Sequence, residues 1–292
     1  MLQISKKYNV PYLYIGVALC CVCLGRAYQC LFWDVPIRAL LWNEEFMAAP
    51  IAFLLKVTWS EYLLHPDINS ITQGIISSIG IGLLVGCFTL VYTNHQRMRC
   101  MSSYFLLSLL VFIAFLYHLK KFHTAGQFFE YTLQFMTPII FWKILQRGAT
   151  SRWIILVKTS IALTFISHGL YALGFYPIPG NFVAMTINIL NCSDAFAIQF
   201  LMLVGFLDLL CSIGLFFGRR VFQVSILYCI IWGCLTAFAR IVANVDFEAF
   251  GSTMHQWAYQ TLYRAPHFLI PIALYVTINL KADTSITLEK KK

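Results

Sequence analysis

Residues 195–217 read AFAIQFLMLVGFLDLLCSIGLFF, 23 positions with one ionisable side chain, Asp208. A bilayer core about 30 Å thick takes about 20 residues of α-helix at a rise of about 1.5 Å each, whereas a membrane β-strand needs only about 10. The run therefore reads as a membrane helix, since a lipid-exposed backbone must satisfy its own hydrogen bonds. The composition agrees: 60% hydrophobic, 16% aromatic and 11% charged, with mean hydropathy +0.74. A chain so poor in charge cannot cover a water-facing globule.

Working outward, similar runs place spans at about 11–33, 72–93, 103–118, 127–146, 154–175, 195–217, 221–242 and 257–279. The expected fold class is all-α, a polytopic membrane helix bundle of about eight transmembrane helices, with no room for a separate soluble domain. The stretch MLQISKKYN precedes the first run as a signal-peptide n-region would, but the run continues to Trp33 without a small-residue cleavage site. It is read as a retained span.

Charge sets the orientation. Lys6, Lys7, Arg97, Arg99, Lys143, Arg147, Arg152, Lys158, Arg219, Arg220, Lys281 and Lys290 to Lys292 all fall on one side, fourteen of the 21 Lys and Arg residues. That side is expected to be cytoplasmic, with both termini inside a cell membrane of the bacterial inner-membrane kind. Lys120 and Lys121 are the exception, lying in an outer connection. The net charge of +9 is spread thinly over loops, which argues against nucleic acid as a partner and leaves the lipid bilayer.

The longest outer connection, 34–71, combines Asp34, Arg38, Trp42, Glu44, Trp59 and Glu61. Its apolar part, 46–57, is too short to span, so an interfacial or re-entrant helix is expected. Large aromatics beside charge suit both a lid over the outer mouth of the bundle and a surface for a membrane-protein partner.

The chain also resembles itself. GRAYQCLFWDVP (25–36) and SHGLYALGFYPIP (167–179) each close a span with a basic side chain, aromatics and Pro; GQFFEYTLQFMTP (126–138) aligns with HQWAYQTLYRAPH (255–267). Each half runs as one span, a long outer connection and three closely spaced spans. Two parallel four-helix units are expected, 1–150 and 151–292, unlike the inverted repeats of many transporters.

In the second unit SHGLYALG, PGNFVAMTINIL and AFAIQFLMLVGFLDLLCSIGLFF resemble the DoxX-like family of four-helix membrane proteins. The resemblance covers about 125 residues, from Trp153 to about Leu280, and rests on His168-Gly169 and Gly205-Phe206-Leu207-Asp208, with Asp208 where the family pattern has Glu. The first unit is similar more weakly, with Arg26 in place of His168. The resemblance implies a four-helix fold and, for some members, association with quinone-linked oxidation.

Ionisable groups inside spans are functional candidates, and Arg26, Glu130, His168, Asp208, Arg240 and Arg264 qualify. Arg26, Glu130, His168, Asp208 and Arg264 are the candidate ligand-binding set; Arg240 lies near Asp246 and Glu248, which could reach it. His168 and Asp208 are expected to face one interior cavity, close enough to interact directly or through water. Glu130 and Arg264 would otherwise form an interhelical ion pair. The ten cysteines and seven histidines lack the pairing and spacing of a disulfide framework or a metal site, so none is expected. No P-loop, haem-attachment or dinucleotide signature is present. Three functions remain open: a quinone-associated or redox-linked component, with a quinone or lipid-like molecule bound by Arg26, His168 and Asp208; an accessory, assembly or scaffold subunit; and a small-molecule transporter.

Overall fold

The computed structural model describes residues 9–289, with side chains described for 10–281. Lys6, Lys7 and Lys290 to Lys292, assigned above to the inner side, lie outside these described residues. Fourteen helices and no strand make up the described residues, and the protein is an all-α, multi-pass membrane helix bundle. Among the described residues six helices are long and apolar enough to cross a membrane.

Helix α1 (Asn9–Phe32) is followed on one side of the bundle by the short helices α2 (Arg38–Leu41), α3 (Glu44–Leu55) and α4 (Trp59–Leu64). Helices α5 (Ile68–Tyr92) and α6 (Gln96–Lys120) form an antiparallel pair, and α7 (Ala125–Glu130) and α8 (Thr132–Arg147) return the chain. The second half runs α9 (Ser151–Ala172), α10 (Gly180–Leu190), α11 (Asp194–Gly214), α12 (Arg219–Asn244), α13 (Phe250–Arg264) and α14 (Pro266–Glu289). The predicted spans 127–146 and 257–279 are thus each divided between two helices, α7 with α8 and α13 with α14.

Local chemistry explains both divisions. Pro266 opens α14, where a residue without an N–H costs nothing in the first helical turn. At the α7–α8 break Tyr131 leaves the helical backbone, and the amide of Leu133 donates instead to the Thr164 hydroxyl on α9 at 3.0 Å. A buried N–H freed by the kink is therefore paired across the interface.

Helices α1 and α9 are the two centres of packing. Helix α1 packs against α5, α8, α13 and α14; α9 packs against α7, α8, α11 and α14. Close approaches depend on glycine. A Cβ on Gly80 of α5 would lie 2.9 Å from Cys30 Cβ and 3.2 Å from the Ala27 carbonyl of α1; a Cβ on Gly205 of α11 would lie 2.9 Å from both Ala172 Cβ and the Gly169 carbonyl of α9. Small residues let helix backbones meet where lipid supplies no hydrophobic drive for helix association.

The outward faces of α5, α11 and α12 carry large apolar side chains, among them Phe88, Leu203, Val224 and Ile231. The turns at 93–95, 148–150 and 215–218 share the end of the bundle where Lys281 of α14 donates to the Ala149 carbonyl. Arg97, Arg147, Arg152, Arg219 and Arg220 are exposed around those turns.

Candidate functional site

The first half closes tightly around Arg26. The guanidinium donates through Nε and Nη2 to Gln134 Oε1 at 3.0 and 2.7 Å, and through Nη1 to Gln29 Oε1 at 2.7 Å. It lies over the rings of Tyr263, Tyr131 and Tyr117 at 3.9, 4.8 and 5.4 Å from their centroids. Gln29 continues the network to the Tyr117 hydroxyl at 2.6 Å and the Asp34 carbonyl at 2.9 Å. Arg26 is 1% exposed and does not line the cavity of the second half.

The second half is built differently. Gly169 and Gly205 bring α9 and α11 together, and His168 and Asp208 flank that crossing. Gly233 presses α12 onto the start of α14, where an added Cβ would lie 2.5 Å from the His267 carbonyl; two turns further along α12 stands Arg240. The break between α13 and α14 places Arg264 and His267 three residues apart at the same depth. These elements enclose a cavity of about 370 Å³, walled by α10, α11 and α12 and opening among exposed Leu190, Leu235 and Val242. Its wall is mostly apolar, broken by Thr186 and Thr236 and by the ionisable side chains His168, Asp208, Arg240, Arg264 and His267.

Glu130 reaches this group from α7. Its Oε1 lies 3.3 Å from Arg264 Nη2 and 3.8 Å from His168 Nε2, and its Oε2 accepts from Gln127 at 2.9 Å. The rings of His168 and His267 are 5.6 Å apart. His267 Nδ1 lies 2.8 Å from the Arg264 carbonyl. A carbonyl only accepts, so Nδ1 carries the hydrogen, and in a neutral ring Nε2 is then a lone-pair acceptor. Among the described residues His168 Nε2, Arg264 Nε and His267 Nε2 are buried with no hydrogen-bond partner. The Arg240 guanidinium makes no hydrogen bond or ion pair among them either, although the residue is only 6% exposed.

The structure therefore brings Glu130, His168 and Arg264 together and sets Asp208 on the wall of the same cavity, while Arg26 belongs to a separate, filled network. His168 and Asp208 face one cavity without bonding each other: Asp208 Oδ1 accepts from the Tyr228 hydroxyl at 2.8 Å, and the carboxylate nearest His168 is Glu130. Arg240 is turned inward; Asp246 instead accepts from the backbone amides of Glu248 and Ala249. His267 joins the site although it stood outside the expected ligand set. Its signal was its place one residue after Pro266, at the start of a helix whose axis the sequence did not fix.

The residues of the outer connection serve local structure. Arg38 pairs with Asp34 at 2.5 Å and lies over Trp42; Glu44 opens α3 behind the Asn43 cap; Trp59 packs on Tyr62; Glu61 closes a capping box with Thr58. Two bonds from Thr58, its backbone N–H and its hydroxyl, hold the Glu61 carboxyl below the usual range. Helix α2 seats on α6, with Val35 and Ile37 buried, so the start of the segment closes over the Arg26 network. Helices α3 and α4 turn Phe53, Leu54 and Leu64 outward.

Among the described residues no group of three His, Cys, Asp or Glu side chains is placed to hold a metal ion. No protein-family model matches the chain, and no match is found among curated proteins or among solved structures.

Proposed function

We propose that this multi-pass membrane protein binds one amphiphile in the second-half cavity, with the head group at the His168, Arg240, Arg264 and His267 wall and the tail among the apolar side chains of α10 to α12. The observation that carries the reading is the combination of an apolar cavity open toward the lipid-facing surface and buried polar atoms left without partners at its inner wall. Buried polar groups are nearly always hydrogen-bonded, and a cluster that is not marks a place for a ligand. Quinones are one class of such amphiphile, and association with quinone chemistry is the form this reading takes if the DoxX-like resemblance of 153–280 reflects ancestry.

The proposed frame is eight spans in two parallel four-helix units, 1–150 and 151–292, with α7–α8 and α13–α14 each counted as one broken span. Its support is the matched packing: Gly80 against Ala27 and Cys30 in one half, Gly205 against Gly169 and Ala172 in the other. The exposed arginines at the 93–95, 148–150 and 215–218 turns favour that end as cytoplasmic. The accessory or scaffold alternative draws on the outward apolar side chains of α3 and α4.

Native mass spectrometry of the protein purified in a mild detergent tests the binding reading. One amphiphile per chain is expected, displaced in Leu235→Trp, which fills the mouth. A wild-type chain that carries no amphiphile and takes up none from added lipid would end the proposal.

A further inference from the structure

The charged groups around the cavity are unevenly partnered, and the unpartnered one names the ligand more closely. Two guanidinium groups, Arg240 and Arg264, meet the cavity wall; of the two carboxyl groups near them, Glu130 lies behind the wall beside Arg264 and Asp208 stands on it. Glu130 is already committed: one oxygen serves Gln127, and the other lies between Arg264 and His168. Asp208 makes no ion pair among the described residues and takes its hydrogen bond from Tyr228, so it does not balance Arg240 locally. A buried guanidinium without a hydrogen-bonded partner is costly in a membrane interior, and guanidinium groups match the paired oxygens of carboxylate and phosphate.

Depth and size point the same way. Arg240 lies four residues from the end of α12, about 6 Å at helical rise, which is within reach of the head-group region. The volume of about 370 Å³ sits near the lower end of the roughly 300–1,000 Å³ typical of one small ligand. A two-chain phospholipid would overfill it.

We infer that the occupant is a single-chain amphiphile with a monoanionic oxyacid head, a fatty carboxylate or an alkyl phosphate, held by the unpaired Arg240 guanidinium, Arg264 Nε and His168 at the end of an apolar cavity. The inference rests on the amphiphile reading above and narrows it away from neutral head groups such as quinones. An alkyl phosphate monoanion also carries an O–H, which His267 Nε2 is placed to accept.

The test is competition against a fluorescent long-chain alcohol bound to the full-length protein in nanodiscs, with palmitate, hexadecyl phosphate, hexadecanol and a short-chain quinone as competitors. Palmitate or hexadecyl phosphate should compete at concentrations at least ~30-fold lower than hexadecanol, because a buried charge pair dominates such preferences. Arg240→Gln should erase that margin while hexadecanol still binds, and the thermal midpoint of the variant checks that it is folded. Arg240→Lys, which keeps the charge, should restore part of the margin. The better competitor of the two anions identifies the head as carboxylate or phosphate. Equal competition by hexadecanol or the quinone overturns the anionic head but leaves the cavity as a site. If the alcohol itself fails to bind, and none of the four competitors binds when measured directly, both readings fall.

Discussion

Arg26 and Arg240 are both arginines buried in the bundle at 1% and 6% exposure, and the protein treats them in opposite ways. Around Arg26 the chain supplies everything a guanidinium needs: two glutamine oxygens and three tyrosine faces. Around Arg240 it supplies a cavity and no hydrogen-bond partner among the described residues. The lesson is that burial of a charge does not by itself mark function. What separates a structural arginine from a candidate binding arginine is whether its hydrogen-bond needs are met from within.

The strongest challenge to this contrast is to delete each charge. Arg26→Met leaves Gln29 and Gln134 oxygens buried and unsatisfied and should cost about 2–6 kcal/mol, at about 1–3 kcal/mol for each acceptor left without a donor. Arg240→Met removes a guanidinium without partners and should leave the ligand-free protein as stable as the wild type or more stable, by up to about 4 kcal/mol. Unfolding in mixed micelles measures both; equal losses would erase the distinction.

The next test asks where the halves behave alike. Gly80→Val and Gly205→Val each push a side chain into the facing helix backbone and should each cost about 1–3 kcal/mol, read by the same unfolding assay. Tolerance of one and not the other would break the equivalence of the two helix crossings.

A smaller effect separates Asp208 from Glu130. Asp208→Asn keeps an oxygen for the Tyr228 hydroxyl and should shift stability by less than about 1 kcal/mol, whereas Glu130→Gln removes the partner of Arg264 and should cost more, about 3 kcal/mol. Loss of Asp208 as costly as loss of Glu130 would place Asp208 in the charged network after all.

The smallest difference lies in the outer connections. Thr58 and Glu61 cap α4 reciprocally, whereas α10 follows Pro179, which supplies no side-chain cap. The Glu61 carboxyl is held low in the folded protein, so its contribution to the cap is present above the ordinary carboxylate pKa and fades as pH falls through the folded value. Carboxyl carbon NMR should show Glu61 titrating below an ordinary glutamate, and Thr58→Ala, which removes the hydroxyl but keeps the backbone N–H, should return it part of the way to the usual range. An unchanged titration would remove the box as a determinant.

Much of the bundle was legible in the sequence because hydrocarbon imposes length and polarity directly on each run. The six long helices were read from such runs, while the breaks at Tyr131 and Ala265 were not. One depends on Thr164, distant in sequence, accepting a freed amide; the other follows a Pro that reads equally well as a turn or a kink. The ion pair between Glu130 and Arg264 was open to sequence reasoning as a matching of charges. A cavity beside His168 and Asp208 was expected, but its walls were not legible, because they form only where α10, α11 and α12 leave space that no local pattern records.

By itself the sequence determined that the chain spans a membrane as helices and that a handful of ionisable side chains must be sheltered inside, since lipid cannot solvate a peptide bond or a charge. Only the tertiary structure decided which of those side chains are satisfied. Glycine contacts and the angles of broken helices set that choice by placing Gln29, Gln134 and three tyrosines on Arg26 and a mostly apolar cavity beside Arg240. Hydrogen bonds form over about 3 Å, a scale fixed by how helices pack and not by the order of residues along any one of them.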